Sequence, residues 1–176
     1  MKILLLNPTH LSIGSRMAYE HLPPLGLISI GGPLIDDGHD VELLDADYSN
    51  MPFEKIIDEC IGKDPDLLLM GHSGSTSAQP IINRISERVK ELLPKVKIII
   101  GGVFPTYHWK EILEDQPSID LIVIGEGEEV MQNLATTLAL DGDLNEVHGI
   151  AHRESGKPVK TRPAKMIQNL DDFRIG

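Results

Sequence analysis

Along most of the chain, short runs of near-continuous Ile, Leu and Val alternate with longer stretches in which apolar residues recur every third or fourth place. Lys2 to Leu6, Asp40 to Leu44, Leu67 to Met70, Val96 to Ile100 and Leu121 to Ile124 read as strands. The absence of polar alternation within them means burial on both faces. Leu25 to Asp37, Phe53 to Ile61, Ala78 to Leu93, Trp109 to Asp115 and Glu128 to Ala139 have helical spacing, with Gly38, Gly62, Pro94 and Gly142 near their ends. Beyond about residue 145 the pattern shortens. There Gly149 to Arg153 and Pro158 to Thr161, joined by Glu154-Ser155-Gly156-Lys157, read as a hairpin with a Gly turn.

Successive strand-helix units of this kind define an α/β fold. Right-handed crossovers place helices on both faces of a parallel sheet, and a flavodoxin-like (Rossmann-like) doubly wound sheet of five strands in the order 2-1-3-4-5 is the most economical arrangement. A Rossmann order lacking one strand is the alternative. The organisation expected is a binding domain over 1–145, a small C-terminal β-hairpin appendage over 146–168 and the start of a linker over 169–176. A length of 176 residues suits one domain with a sizeable core.

Charge narrows the partners. Asp plus Glu number 27 against 16 Lys plus Arg, a formal charge of −11, which repels a phosphate backbone unless a local basic patch overrides it. The densest basic stretch, Lys157 to Arg162 with Lys165, is broken by Pro158, Val159, Thr161 and Pro163, and is read as a solvated hairpin and tail. Nucleic acid is therefore not an expected partner. Cys60 is the single cysteine and lies in an amphipathic helical stretch, so there is no disulfide framework, no zinc-knuckle spacing and no CxxxCxxC. The apolar start, Ile3 to Leu6, is too short for a signal peptide or a membrane span, and the expected compartment is the cytoplasm.

Candidate chemistry gathers in the connections that follow the strands, since in an open parallel sheet these share the edge at which ligands bind. The first, Asn7 to Pro23, is unusually long and holds His10, Gly14, Arg16, Tyr19 and His21. His10 suits either a metal or pH-sensing role or an ordinary surface position, and His72 and His108 carry the same two readings. Gly71-His72-Ser73-Gly74-Ser75-Thr76-Ser77 precedes a helix, where unpaired amides and hydroxyls suit a ligand cradle or a plain N-cap. Gly101-Gly102-Val103-Phe104-Pro105-Thr106 lets a bulky group approach the backbone, or simply turns the chain. Gly125-Glu126-Gly127-Glu128-Glu129 puts acidic residues where a helix dipole favours them, with a carboxylate role open to Glu126. The phosphate-loop pattern, the dinucleotide GxGxxG, a nucleophile elbow and Ser-His-Asp spacing are all missing. No catalytic residue and no metal ligand is assigned.

Pro23-Pro24-Leu25-Gly26-Leu27, Gly38-His39-Asp40-Val41, Gly101 to Thr106 and Gly125-Glu126-Gly127-Glu128, in this order, resemble the amino-terminal half of cobalamin-dependent radical S-adenosylmethionine proteins. That group includes the anaerobic magnesium-protoporphyrin IX monomethyl ester cyclase family and many methyltransferases. The resemblance runs from Met1 to about Asp172, and Asn169 to Phe173 looks like the segment that leads into the radical domain. It implies that cobalamin binds with its nucleotide tail in the sheet edge and its corrin over the strand ends. Ser73 and Thr76, with Ser75 beside them, would contact the benzimidazole end, and Gly101 and Gly102 would leave room for the tail. Val103, Pro105, Thr106, Gly125, Glu126 and Gly127 would border the cofactor.

Methyl-transferring cobalamin domains carry Asp-x-His-x-x-Gly after the first strand. Here Asn7-Pro8-Thr9-His10 stands in that place, without the Asp and with one residue too many before Gly14, which implies cobalamin bound without His as its lower ligand. The radical domain of the same polypeptide would hold a 4Fe-4S cluster and S-adenosylmethionine and would act as an oxidative cyclase on a magnesium-porphyrin ester or as a methyltransferase. The alternative is a flavin- or metal-binding flavodoxin-like regulatory module without corrinoid, the metal drawing on His10, His72 and His108. A phosphorylatable receiver is excluded, because Asn7 and Ser73 stand where it needs Asp.

Overall fold

A computed structural model describes residues 1–9, 23–72, 78–169 and 172–176. Strands β1 (Lys2–Asn7), β2 (Asp40–Asp45), β3 (Leu67–His72), β4 (Lys97–Gly102) and β5 (Leu121–Val123) are parallel and stand in the order β2-β1-β3-β4-β5, as the hydrophobic pattern predicts. Helices α1 (Leu25–Asp36), α2 (Phe53–Lys63), α3 (Gln79–Leu92), α4 (Val103–Asp115) and α5 (Glu128–Ala139) cover both faces.

Alternate strand residues feed two cores. Leu4, Leu6, Leu68, Met70, Ile98 and Ile100 pack with α2, α3 and α4, while Ile3, Leu5, Leu67, Leu69 and Ile99 pack with α1 and α5. This is why the strands read as unbroken apolar runs. Each side chain so buried contributes about 1.5–3 kcal/mol relative to leaving it in water.

The hairpin is not a separate appendage. Its strands β6 (Ile150–Glu154) and β7 (Lys157–Lys160) continue the sheet to seven strands, β6 pairing antiparallel with β5 through Ile122 to Ala151 and Val123 to Ile150. Without it β5 would be an open edge, which proteins rarely leave unprotected. Its turn carries positive φ at both Ser155 (49°) and Gly156 (79°), the geometry that matches the twist of a two-residue hairpin loop.

Two further differences bear on function. Strands β3 and β4 run two residues further than their apolar cores, so Gly71 pairs with Gly101 and His72 with Gly102 inside the ladder. Helix α4 begins at Val103 and is kinked at His108 (φ −112°, ψ 22°), so the helical spacing visible from Trp109 marks only its second part. Val103, Phe104 and Thr106 are weak helix formers, but Pro105 is tolerated in a first turn that needs no intrahelical N–H.

Arg153 joins the hairpin to α4. Its guanidinium donates to the carbonyls of Leu113 (2.9 and 2.7 Å) in the last turn of α4 and of Gln116 (2.7 Å) and Ile119 (2.7 Å) just beyond it. Burial pulls its pKa below the usual arginine value. Arg153→Met is expected to lower the unfolding free energy by about 2–3 kcal/mol, because it orphans several carbonyls at once. Arg153→Lys should recover less than half of that, since an ammonium lacks the planar fork. Urea denaturation of the two variants checks both expectations.

Candidate functional site

The carboxyl ends of β1, β3, β4 and β5 and the first turns of α1, α3, α4 and α5 form one rim. At β1, the buried Asn7 donates from Nδ2 to Asp45 Oδ1 (2.8 Å), and its carbonyl accepts from Ala46 N (3.0 Å) and Asp47 N (3.2 Å). Pro8 is also buried, and the Thr9 hydroxyl lies 2.8 Å from the Ala46 carbonyl and 2.9 Å from that of Met51. These groups fasten the end of β1 to the connection between β2 and α2. His10, Arg16, Tyr19, Ser73, Ser75 and Thr76 lie outside the described residues.

At the centre of the rim, Gly71 and Gly101 face the α1/α5 side without side chains. A Cβ at Gly71 would stand 3.6 Å from Leu27 Cδ2, and one at Gly101 3.6 Å from Val123 Cβ. Gly102 caps α4 with φ 106° and ψ −175°, a conformation essentially restricted to glycine. Thr106 in the next turn accepts from Gly125 N (3.1 Å), tying α4 to the loop after β5. Gly125 itself has φ 81°, and nothing lies within 4 Å of where its Cβ would be. Gly127 precedes α5, while the Glu126 carboxylate accepts from Ile167 N (2.8 Å) and so ties down the C-terminal segment.

Large apolar side chains stand in solvent around this rim. Leu25 is 71% exposed, Tyr48 74%, Val103 57% and Tyr107 78%, an unusual concentration on one edge. Pro105 is buried, and the ring of His108 stacks on Phe104 with centroids 4.3 Å apart. Among the described residues no three His, Cys, Asp or Glu gather as a metal site. Cys60 is fully buried and its thiol pKa is pushed up to about 12, first by burial and then by Glu59, so it is no nucleophile. A groove of about 400 Å³ runs along the flank of α5, lined by Glu126, Asn133, Thr137, His148 and Lys165 among others.

The sequence reading missed Gln79. It is 8% exposed, donates from Nε2 to Asn83 Oδ1 (2.7 Å), and at the rim end of α3 leaves its buried Oε1 without a partner among the described residues. The available signal was its place on the helical stripe of Ile82 and Ser86, where a polar residue directly after a Gly/Ser/Thr loop is out of pattern.

A doubly wound sheet whose two central strands, β3 and β4, carry glycine at their carboxyl ends beside exposed apolar groups has the form of a ligand-binding α/β domain. The B12 binding domain family matches residues 13–135, and the chain belongs to it as a cobalamin-binding domain. It is 52% identical over its whole length to the anaerobic magnesium-protoporphyrin IX monomethyl ester cyclase of Synechocystis sp., of which it covers 35%. It is 30% identical over 175 residues to a methyltransferase of Pyrococcus horikoshii, covering 99% of this chain and 38% of that one. The radical S-adenosylmethionine methyltransferase TsrM from Kitasatospora setae, solved with cobalamin and a 4Fe-4S cluster bound, shares the fold. Its TM-score is 0.78 at 19% identity, over 99% of this chain and 31% of that one. The chain thus spans about a third of the length of the curated relatives it matches. Among the described residues no helix is long and apolar enough to cross a membrane.

Proposed function

We propose that this chain is the cobalamin-carrying part of a larger radical S-adenosylmethionine protein and that the carboxyl rim holds the cofactor. The observation that carries the reading is the paired Gly71 and Gly101 at adjacent strand ends, with the orphaned buried oxygen of Gln79 at the same rim. Cobalamin fits such a rim. Its nucleotide tail needs backbone approached without side chains, its carboxamides supply N–H donors for a buried acceptor, and its corrin is a broad apolar plate suited to Leu25, Val103 and Tyr107.

In this reading Gly101 and Gly102 leave room for the tail, and Ser73, Ser75 and Thr76 hold its base. Val103, Pro105, Thr106, Gly125, Glu126 and Gly127 border the cofactor, Thr106 keeping the last loop in place through Gly125. Asn7, Pro8, Thr9 and His10 close the first loop against it, and His10 is not the lower cobalt ligand. When bound, the cofactor supplies methyl carriage or electron transfer at cobalt. The protein's part is to hold it and exclude water. The cluster and S-adenosylmethionine belong to a further domain of the same polypeptide, because Cys60 is this chain's single cysteine. Oxidative cyclisation of a magnesium-porphyrin ester is the reaction supported by the 52% identity, and methyl transfer is the second reading, supported by the methyltransferase relatives. The compartment we assign is the cytoplasm, consistent with one free, buried thiol.

The test is to add hydroxocobalamin, FMN or zinc to the purified chain and follow absorbance and melting temperature. A ligand of the folded state alone stabilises it by about 2.7 kcal/mol at one hundred times its Kd. Hydroxocobalamin is expected to raise the melting temperature and the other two to leave it unchanged. The bound spectrum should be the same in His10→Ala. A shift with FMN and none with hydroxocobalamin overturns the reading.

A further inference from the structure

Helix α1 contains Gly31, Gly32 and Pro33 in succession, three poor residues for a helix interior, and all three are buried. Gly31 has an internal explanation, since a Cβ there would stand 3.1 Å from Leu5 Cδ1 of the sheet. Gly32 does not face the sheet in that way. Its Cβ would run into the carbonyl of Arg174, 2.6 Å from the carbon, and would stand 3.0 Å from Gly176 N.

The fit is reciprocal. A Cβ on Gly176 would fall 2.5 Å from Gly32 N and 2.8 Å from Gly31 C, so the two backbones meet glycine to glycine. Gly176 N donates to the Ile28 carbonyl (3.1 Å), and Arg174 Nη1 pairs with Asp36 Oδ1 (2.9 Å). Both backbone contacts centre on Gly32, since the Ile28 carbonyl lies beside Gly32 N in the helix ladder, and the Arg174 side chain reaches on to Asp36.

We propose that Gly32 is a built seat for Arg174–Gly176, which holds this segment as a strap against α1. The seat explains why α1 keeps a glycine at position 32, which its own stability disfavours. Propensity alone makes Gly32→Ala a gain for the helix, whereas the seat makes it a loss of the segment, so the two accounts differ in sign.

The experiment is tryptic release of the dipeptide Ile175-Gly176 from the 176-residue chain without cofactor, followed by mass, with hydrogen exchange of residues 172–176 as a second readout. Gly32→Ala is expected to raise cleavage after Arg174 about tenfold and to speed exchange, because cleavage follows the population of the open form. Gly26→Ala, where nothing lies within 4 Å of the new Cβ, is expected to change neither. Asp36→Asn, which leaves the helix untouched, is expected to raise cleavage by a smaller factor. Unchanged cleavage in both Gly32→Ala and Asp36→Asn overturns the seat. Protection of Arg174 in a chain that fails to bind hydroxocobalamin supports the seat while removing the proposed function.

Discussion

Gly101→Ala is expected to weaken cobalamin binding about 5- to 150-fold while leaving the unliganded fold as stable as the parent or slightly more so. The added methyl meets Val123 Cβ at 3.6 Å and its carbonyl oxygen at 3.7 Å, ordinary contact distances, and Gly101 is not among the residues with positive φ. The folded chain can accept it, and the unfolded chain loses freedom. What the methyl removes is bare backbone beside Gly71, at the point where the nucleotide tail is proposed to approach. Gly102→Ala makes the contrast. At φ 106° it costs the unliganded fold about 1–3 kcal/mol, so any loss of binding there is mixed with loss of structure. Calorimetric titration with hydroxocobalamin beside urea denaturation separates the two variants. Parental affinity in Gly101→Ala would remove β4 from the tail's path.

The framework of the fold was legible because β1, β3, β4 and β5 are buried on both faces; β2, expected to be so as well, is the edge strand, and its residues are exposed or half-buried. Lys2 to Leu6 and Leu67 to Met70 carry almost nothing but Leu, Ile and Met, and only a central position in a covered sheet makes such runs soluble. The joining of the hairpin to β5 was not legible, since it depends on the shortness of β5 and on pairing between Val123 and Ile150, which no local period encodes. The early start of α4 was hidden for a different reason. Val103-Phe104-Pro105-Thr106 reads as a turn by propensity, and the register of Gly102 at the end of β4 overrides it.

At the site the glycines were visible as punctuation, but the employment of the polar groups was not. Asn7 and Thr9, expected as cofactor contacts, also bond Asp45, Ala46 and Met51, 37 to 42 positions away. Glu126 likewise holds Ile167, 41 residues on. These bonds set the shape of the rim that the cofactor is proposed to meet.

Gln79→Met is expected to leave the stability of the unliganded chain within about 1 kcal/mol of the parent and to weaken cobalamin binding by roughly tenfold or more. Methionine has nearly the same volume, so packing beside Ile82 is kept. Removing Oε1 relieves a buried acceptor with no partner, a gain of about 1–3 kcal/mol, and this offsets the bond of about 0.5–1.5 kcal/mol from Nε2 to Asn83. Binding responds in the opposite sense. If a carboxamide of the cofactor donates to Oε1, the thioether leaves that donor unpaired in a buried place, where sites built around a hydrogen bond discriminate most strongly. A residue that serves only the fold cannot give this pair of results, because loss of its role would appear first in the unliganded protein. Thermal melts with and without hydroxocobalamin supply both readings from one preparation. Equal ligand-induced shifts in parent and Gln79→Met would assign the orphaned oxygen to the protein's interior alone.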